Sequence, residues 1–141
     1  MTQRVEVAVV GGGPAGLSAA LAAARAGARV TLIDNQPAPG GQYFRQVPAT
    51  LVGAETARRR RGRAQWDEVV KAGVHIFSDT WVWGIDGDST LALYGPQAPA
   101  LLQAEAIILA TGAYDRPVAF PGWTLPGVMT AGAARVLGMQ Q

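Results

Sequence analysis

The feature that most constrains this chain is a cluster of glycines set between two different hydrophobic rhythms. Val5 to Val10 (VEVAVV) is a short, nearly continuous β-branched run. That is the pattern of a strand buried on both faces. Gly11-Gly12-Gly13 follows at once. Pro14 to Ala26 (PAGLSAALAAARA) then reads as a helix. Proline suits a first helical turn, because the N–H it lacks has no acceptor there. Gly27 suits the helix stop. Ala15, Ala19, Ala22, Ala23 and Ala26 recur at helical spacing, so one face is small enough to lie close on a sheet. Arg29 to Ile33 (RVTLI) is a second buried strand, ending at Asp34. Strand, tight turn, helix and strand in this order make a βαβ unit and predict an α/β fold with a parallel sheet.

Gly11, Gly13 and Gly16 match G-x-G-x-x-G, a pattern that is weak alone and informative in this context. Asp34 lies 23 positions after Gly11, near the spacing of about 20 at which an acidic residue meets a ribose. Each residue has a physical task. Gly11 permits the turn out of the strand. Gly13 lets a pyrophosphate reach backbone amides, and Gly16 lets helix and strand pack closely. The helix N-terminus at Pro14 and Ala15 offers free N–H groups and a positive dipole end. Asp34, with Asn35 beside it, can take a ribose diol and repels a 2′-phosphate, which disfavours NADP at this site. The loop itself leaves FAD and NAD open. The plain alternative is a glycine-rich turn that binds nothing.

Further along, Asn35 to Thr50 reads as a Pro/Gly/Gln-rich loop. Glu55 to Ala72 reads as a polar helix stopped by Gly73, and Val74 to Phe77 as a third core strand. The pattern then changes. Trp81–Ile85, Leu91–Tyr94 and Leu101–Gln103 look like short strands joined by Asp86-Gly87-Asp88 and Gly95-Pro96, so a three-stranded antiparallel meander is expected. Ala106 to Ala110 (AIILA) returns to a buried parallel strand ending at Thr111-Gly112. A Pro/Gly/aromatic loop follows from Asp115 to Val128, with a short helix near Thr130.

These segments carry a resemblance. VAVVGGGPAGLSAALAAARAGARVTLID and AEAIILATGAYDRP, with the meander between them, resemble the FAD/NAD(P)-dependent oxidoreductases, flavoproteins with two dinucleotide-binding domains. The resemblance implies FAD as cofactor in a Rossmann-like domain spanning residues 1–141. It implies that Thr111 and Gly112 approach the flavin dinucleotide and that the main chain around Val82 faces the adenine. A narrower resemblance lies in APGGQYFRQ (Ala38–Gln46) and TGAYDRPVAFPGWTLPGVMTAGAA (Thr111–Ala134). These are similar to the large subunits of opine oxidases, hydroxyproline dehydrogenases and hydrogen cyanide synthase. It implies flavin-side roles for Gly41 and Gln42, oxidation of an amine or amino acid as small-molecule substrate, and partner subunits in a hetero-oligomer. It also implies a longer enzyme, with NAD(P) in a second domain and a C-terminal completion of the flavin site. The expectation is therefore an N-terminal portion of such a flavoprotein, inactive by itself. An NAD-binding module and a non-catalytic subunit that keeps the fold are the other readings.

Composition prunes the rest. With no cysteine and one histidine, thiolate metal sites, multi-histidine sites and CxxC redox chemistry are excluded for these residues. The lack of cysteine fits a reducing compartment, and a cytoplasmic location is expected. A net charge of +2 does not suggest a nucleic-acid binder, and no run is long and apolar enough to span a membrane. Arg58 to Arg61 and Arg63 crowd one stretch, read as a solvated helix face, with nucleic-acid or membrane binding and an acidic partner subunit as the other options. His75 reads as a core or strand-edge residue. Trp81, Trp83 and Trp123 read as packing residues. Asp115 and Arg116 either pair to pin the following loop or reach a substrate. No catalytic residue is identifiable.

Overall fold

A computed structural model describes residues 2–44 and 56–138. The chain divides into two compact units, 1–111 and 112–141. In the first, β1 (Gln3–Val10), α1 (Pro14–Arg25) and β2 (Val30–Ile33) form the expected βαβ unit. Then come α2 (Ala57–Lys71), β3 (His75–Phe77), β4 (Trp81–Ile85), β5 (Thr90–Tyr94) and β6 (Leu101–Leu109). Among the described residues the strands make one sheet in the order β3-β2-β1-β6-β5-β4. The pairs β2–β3, β1–β2 and β1–β6 are parallel; β5 runs antiparallel to β4 and β6.

This is the predicted parallel sheet with an antiparallel meander, with one correction. The sequence pattern predicts two strands, Leu101–Gln103 and Ala106–Ala110, where the structure has one. β6 pairs with β5 through Leu101–Gln103 and with β1 from Leu102 to Leu109. Ala104 and Glu105 between the two segments contain no breaker. β1 also starts earlier than expected, so Gln3 can pair with Leu102 and keep the ladder running.

Residues on the two sides of the sheet fall into two cores. Val9, Val30 and Leu32 pack with Leu17, Ala20 and Leu21 of α1 and Val69 of α2. Ala8, Val10, Ile33 and Phe77 pack instead with Leu91 and Leu93 of β5 and Leu102 and Ala104 of β6. The meander therefore supplies the apolar cover that a crossover helix would otherwise give. Leu17 and Leu32 are fully buried, each contributing about 1.5–3 kcal/mol of transfer free energy.

The helix ends follow local chemistry. The Thr56 hydroxyl accepts from Arg59 N–H at 3.3 Å and caps α2. α1 has Gly13 at its N-cap and no side-chain cap. Gln65 of α2 donates to Ser18 Oγ at 2.8 Å, and Arg25 meets Glu68 at 2.9 Å, tying the two helices along their solvent side.

In the second unit, turns at Phe120–Trp123, Gly122–Leu125 and Leu125–Val128 lead into α3 (Ala131–Gly138). Asp115 accepts from Gly132 N–H at 2.7 Å. The Thr130 hydroxyl holds the Asp115 carboxyl below its ordinary range, helped by that amide. Asp115 thus pins the loop to the start of α3, and its partners are there, not at Arg116.

Candidate functional site

The site begins where β1 ends. Gly11 takes φ +106°, and a side chain there would run into the Ala110 carbonyl and come within 3.2 Å of the Thr111 Cα. Gly16 is closed in the same way by the Gly11 carbonyl. These two glycines let β1, α1 and the end of β6 meet. Gly13 differs: a Cβ there would find only the Gly41 Cα, at 3.9 Å. It faces open space. Leu17 N–H to Gly13 O, at 2.9 Å, is the first bond of α1. Helix geometry then leaves the amides of Gly13, Ala15 and Gly16 without intrahelical acceptors, and no side chain caps that turn. Pro14 has no N–H to offer. The arrangement is a ready anion cradle.

Asp34 does more than the sequence suggests. Its Oδ2 accepts from Gly12 N–H at 2.6 Å and its Oδ1 from Gln36 N–H at 2.9 Å. The carboxylate is buried and clamps the glycine loop from beneath. Burial pushes its pKa above the ordinary value, against the lowering effect of the Gln36, Gly12 and Asn35 amides. These three amides leave about one of the carboxylate's roughly four acceptor sites for a ribose hydroxyl. Gly12 is the residue that sequence reasoning missed. The motif allows any residue at that position, yet here a Cβ would meet the Asp34 carboxylate and lie 3.1 Å from the Pro39 Cβ.

The second glycine pair joins the same site. Gly40 N–H donates to Gly12 O at 2.7 Å. A Cβ on Gly41, which has φ +55°, would sit 3.0 Å from the Gly13 Cα. The loop after Asp34 thus lies backbone to backbone on the phosphate-type loop. Buried Phe44 anchors it, its N–H bonding Gly40 O at 2.9 Å. Gln42 is exposed next to this contact, and Asn35 is half-buried. Arg45 and Gln46, the end of the APGGQYFRQ segment, and Glu55, the expected start of α2, lie outside the described residues.

The third component is the crossing from β3 to β4. Asp34 N–H bonds Phe77 O, Thr80 N–H bonds Asp34 O (both 2.9 Å), and Asp79 N–H bonds Gln36 O at 3.2 Å. The segment that starts β4 is therefore tied to the end of β2. Val82 stands opposite Leu93, and Leu93 N–H bonds Ala100 O at 2.9 Å, on the β6 side. The Val82–Leu93 pair is thus of the non-hydrogen-bonded kind. Val82 points its own N–H and C=O away from β5, to the open edge of the described sheet.

Thr111 is exposed at the end of β6 beside Gly11. Gly112, with φ +72°, opens the second unit. His75 is exposed on edge strand β3 with its ring 4.5 Å from Phe77, edge to face, which fits the strand-edge reading. Arg58 is half-buried with its guanidinium 4.8 Å from the Tyr43 ring centroid. The arginine run is therefore a solvated face only in part, at Arg60, Arg61 and Arg63. The tryptophans depart from expectation. Trp81, Trp83 and Trp123 are exposed rather than packed. Among the described residues no acidic, histidine or cysteine cluster could hold a metal ion, and no helix is long and apolar enough to cross a membrane.

Known proteins are similar to this chain. An opine oxidase subunit from Agrobacterium tumefaciens is 34% identical over 93% of this chain and 28% of its own length. Hydrogen cyanide synthase subunit HcnB of Pseudomonas aeruginosa is 32% identical over 91% of this chain and 29% of its own. The chain thus spans between a quarter and a third of the length of these curated relatives. Among solved structures, L-proline dehydrogenase from P. horikoshii superposes with a TM-score of 0.66 at 25% identity, covering 85% of this chain and 25% of that one. Residues 5–138 match the family described as pyridine nucleotide-disulphide oxidoreductase. The match takes in the glycine loop, the Asp34 clamp, the meander and the Thr111 strand end together, and the chain belongs to that family.

Proposed function

We propose that this chain forms the FAD-binding part of an oxidoreductase acting on an amine or amino acid in concert with partner subunits. One observation supports the cofactor reading: hydrogen bonds join the glycine loop, Asp34 and the segment that starts β4, an arrangement that suits an ADP moiety. Open amides at Gly13, Ala15 and Gly16 suit a pyrophosphate. The Asp34 carboxylate, with Asn35 next to it, suits the ribose diol. The Val82 main chain at the sheet edge offers one donor and one acceptor, which suits the edge of an adenine. Gly41, folded against Gly13, with exposed Gln42 following it, and Thr111 beside Gly11 would flank the dinucleotide beyond the phosphates. The residues present fit the group, since the cradle at Gly13 stays clear of side chains. FAD would supply hydride acceptance at its ring. This chain's residues would hold the pyrophosphate, fix the ribose and orient the ring.

The substrate class draws on the names of an opine oxidase and an L-proline dehydrogenase, and the partner reading on the opine oxidase and hydrogen cyanide synthase relatives being named as subunits. The test is direct. Purified chain is mixed with FAD, passed through a desalting column and scanned for visible absorbance, with NADH fluorescence titrated in parallel. Saturable but weak FAD binding by calorimetry, without a full complement of flavin kept through the column, is the expected result. NADH binding with no FAD or ADP binding would replace this reading with that of a nicotinamide module.

A further inference from the structure

Trp81, Trp83 and Tyr94 put three large rings on the surface of the β4–β5 ribbon, 56%, 74% and 76% exposed. The inward row of this ribbon is Val82, Leu91 and Leu93, and the rings take no part in it. Trp81 and Tyr94 stand opposite each other across the two strands. Trp83 has no such neighbour. It is the extra residue at the register shift between Val82 and Gly84, so no β5 residue is paired with it. A bulge of this kind re-aims a side chain at a sheet edge.

The placement of this bulge matters because of Val82. Its N–H and C=O point to the open edge of the sheet. A flat heterocycle meeting them through its own donor and acceptor lies near the plane of that edge. Side chains of the adjoining residues stand roughly perpendicular to the same plane. The exposed indole that follows Val82 is therefore within reach of one face of such a ring. Thr80, tied to the Asp34 carbonyl at 2.9 Å, lies two strand residues before Val82, roughly 7 Å away. The edge thus starts at the main chain of the residue whose carboxylate suits the ribose.

We propose that the Trp83 indole covers one face of the adenine while the Val82 main chain reads its edge. This rests on the FAD reading above and adds a residue to it. The competing use of an exposed apolar edge is pairing with a second copy of the chain, and the experiment separates the two. ADP binding to the 141-residue chain is measured by calorimetry for the wild type, Trp83→Phe and Trp83→Ala. Inorganic pyrophosphate serves as a ligand without a base, and sedimentation velocity is run on each protein.

Removing a base-stacking ring weakens binding about 5- to 150-fold. Trp83→Ala is expected to lose ADP affinity in that range. Trp83→Phe should stay within a few-fold of wild type, and pyrophosphate binding should be equal in all three. Trp83 is exposed, so thermal unfolding of the variants should match the wild type. Equal ADP affinity in wild type and Trp83→Ala overturns the assignment of Trp83 and leaves the FAD reading standing. No ADP binding by any of the proteins overturns both. A Trp83→Ala variant that dissociates from dimer to monomer with unchanged ADP affinity gives the ring to a second copy and also overturns the proposal.

Discussion

Gly12→Ala is the substitution whose outcome depends most on the structure and least on the motif. Position 12 is a free position in G-x-G-x-x-G, and its φ is not in the left-handed region, so neither pattern nor backbone strain forbids alanine. What forbids it is Asp34. The new Cβ would meet the carboxylate, with the Asp34 Cγ at 3.0 Å and the Pro39 Cβ at 3.1 Å. Overpacking of this kind costs about 1–3 kcal/mol. If Asp34 swings aside to relieve it, the 2.6 Å bond from Gly12 N–H is lost, and a charge-assisted bond contributes about 1.5–3 kcal/mol. Either route therefore costs about 1–3 kcal/mol, a substantial part of the 5–15 kcal/mol that holds a typical domain together. Urea unfolding followed by circular dichroism reads this as a lower midpoint at unchanged slope. An Asp34→Ser background supplies the decisive comparison, because a shorter side chain removes the obstacle. The Gly12→Ala penalty should fall by more than half there. A penalty under about 1 kcal/mol in the native background, or the same penalty in both backgrounds, would refute the reasoning.

Three further outcomes are expected. Thr56→Ala removes the α2 cap and should cost about 1 kcal/mol, with faster hydrogen exchange at the Arg59 amide than at amides late in the helix. Arg25→Ala and Glu68→Ala break a pair whose side chains are 65% and 53% exposed, so a double-mutant cycle should return under about 1 kcal/mol. The two displaced aspartates should titrate in opposite directions when followed by NMR at the amides they hold. The Gly12 amide should report a midpoint above the usual aspartate value, and the Gly132 amide a midpoint below it. The stability linkage follows the same signs. Asp34's raised folded pKa gives a contribution present at low pH that is lost as pH rises through the raised value. Asp115's lowered one gives a contribution present above the usual range and lost as pH falls through the lowered value.

Local rules carried the sequence reading as far as local causes reach. The βαβ unit was legible because VEVAVV, the glycines and the alanine-rich helix each obey one rhythm and change it abruptly. The hairpin signals at Asp86-Gly87 and Gly95-Pro96 marked the meander correctly for the same reason. Whether Leu101–Gln103 and Ala106–Ala110 form one strand or two was not legible. That depends on β1 reaching back to Gln3, a partner 99 positions before Leu102. The role of Gly12 was hidden because it depends on where the Asp34 carboxylate turns. Trp81 and Trp83 misled because large aromatics favour burial on average, and only the register of β4 against β5 shows which side they take. Gly41 was nameable only by resemblance, since its contact with Gly13 crosses 28 positions of sequence.

The single long strand β6 has a consequence for synthesis. β1 lies in the middle of the sheet, yet its partner on one side is made 99 residues later, since Gln3 pairs with Leu102. At about 5–20 residues per second, a ribosome takes roughly 5–20 s to reach that partner. During that interval β2 can pair with one edge of β1, but the other edge of a valine-rich strand stays open. The nascent chain is therefore most prone to aggregation before β6 emerges, and a pause between β5 and β6 would lengthen that exposure.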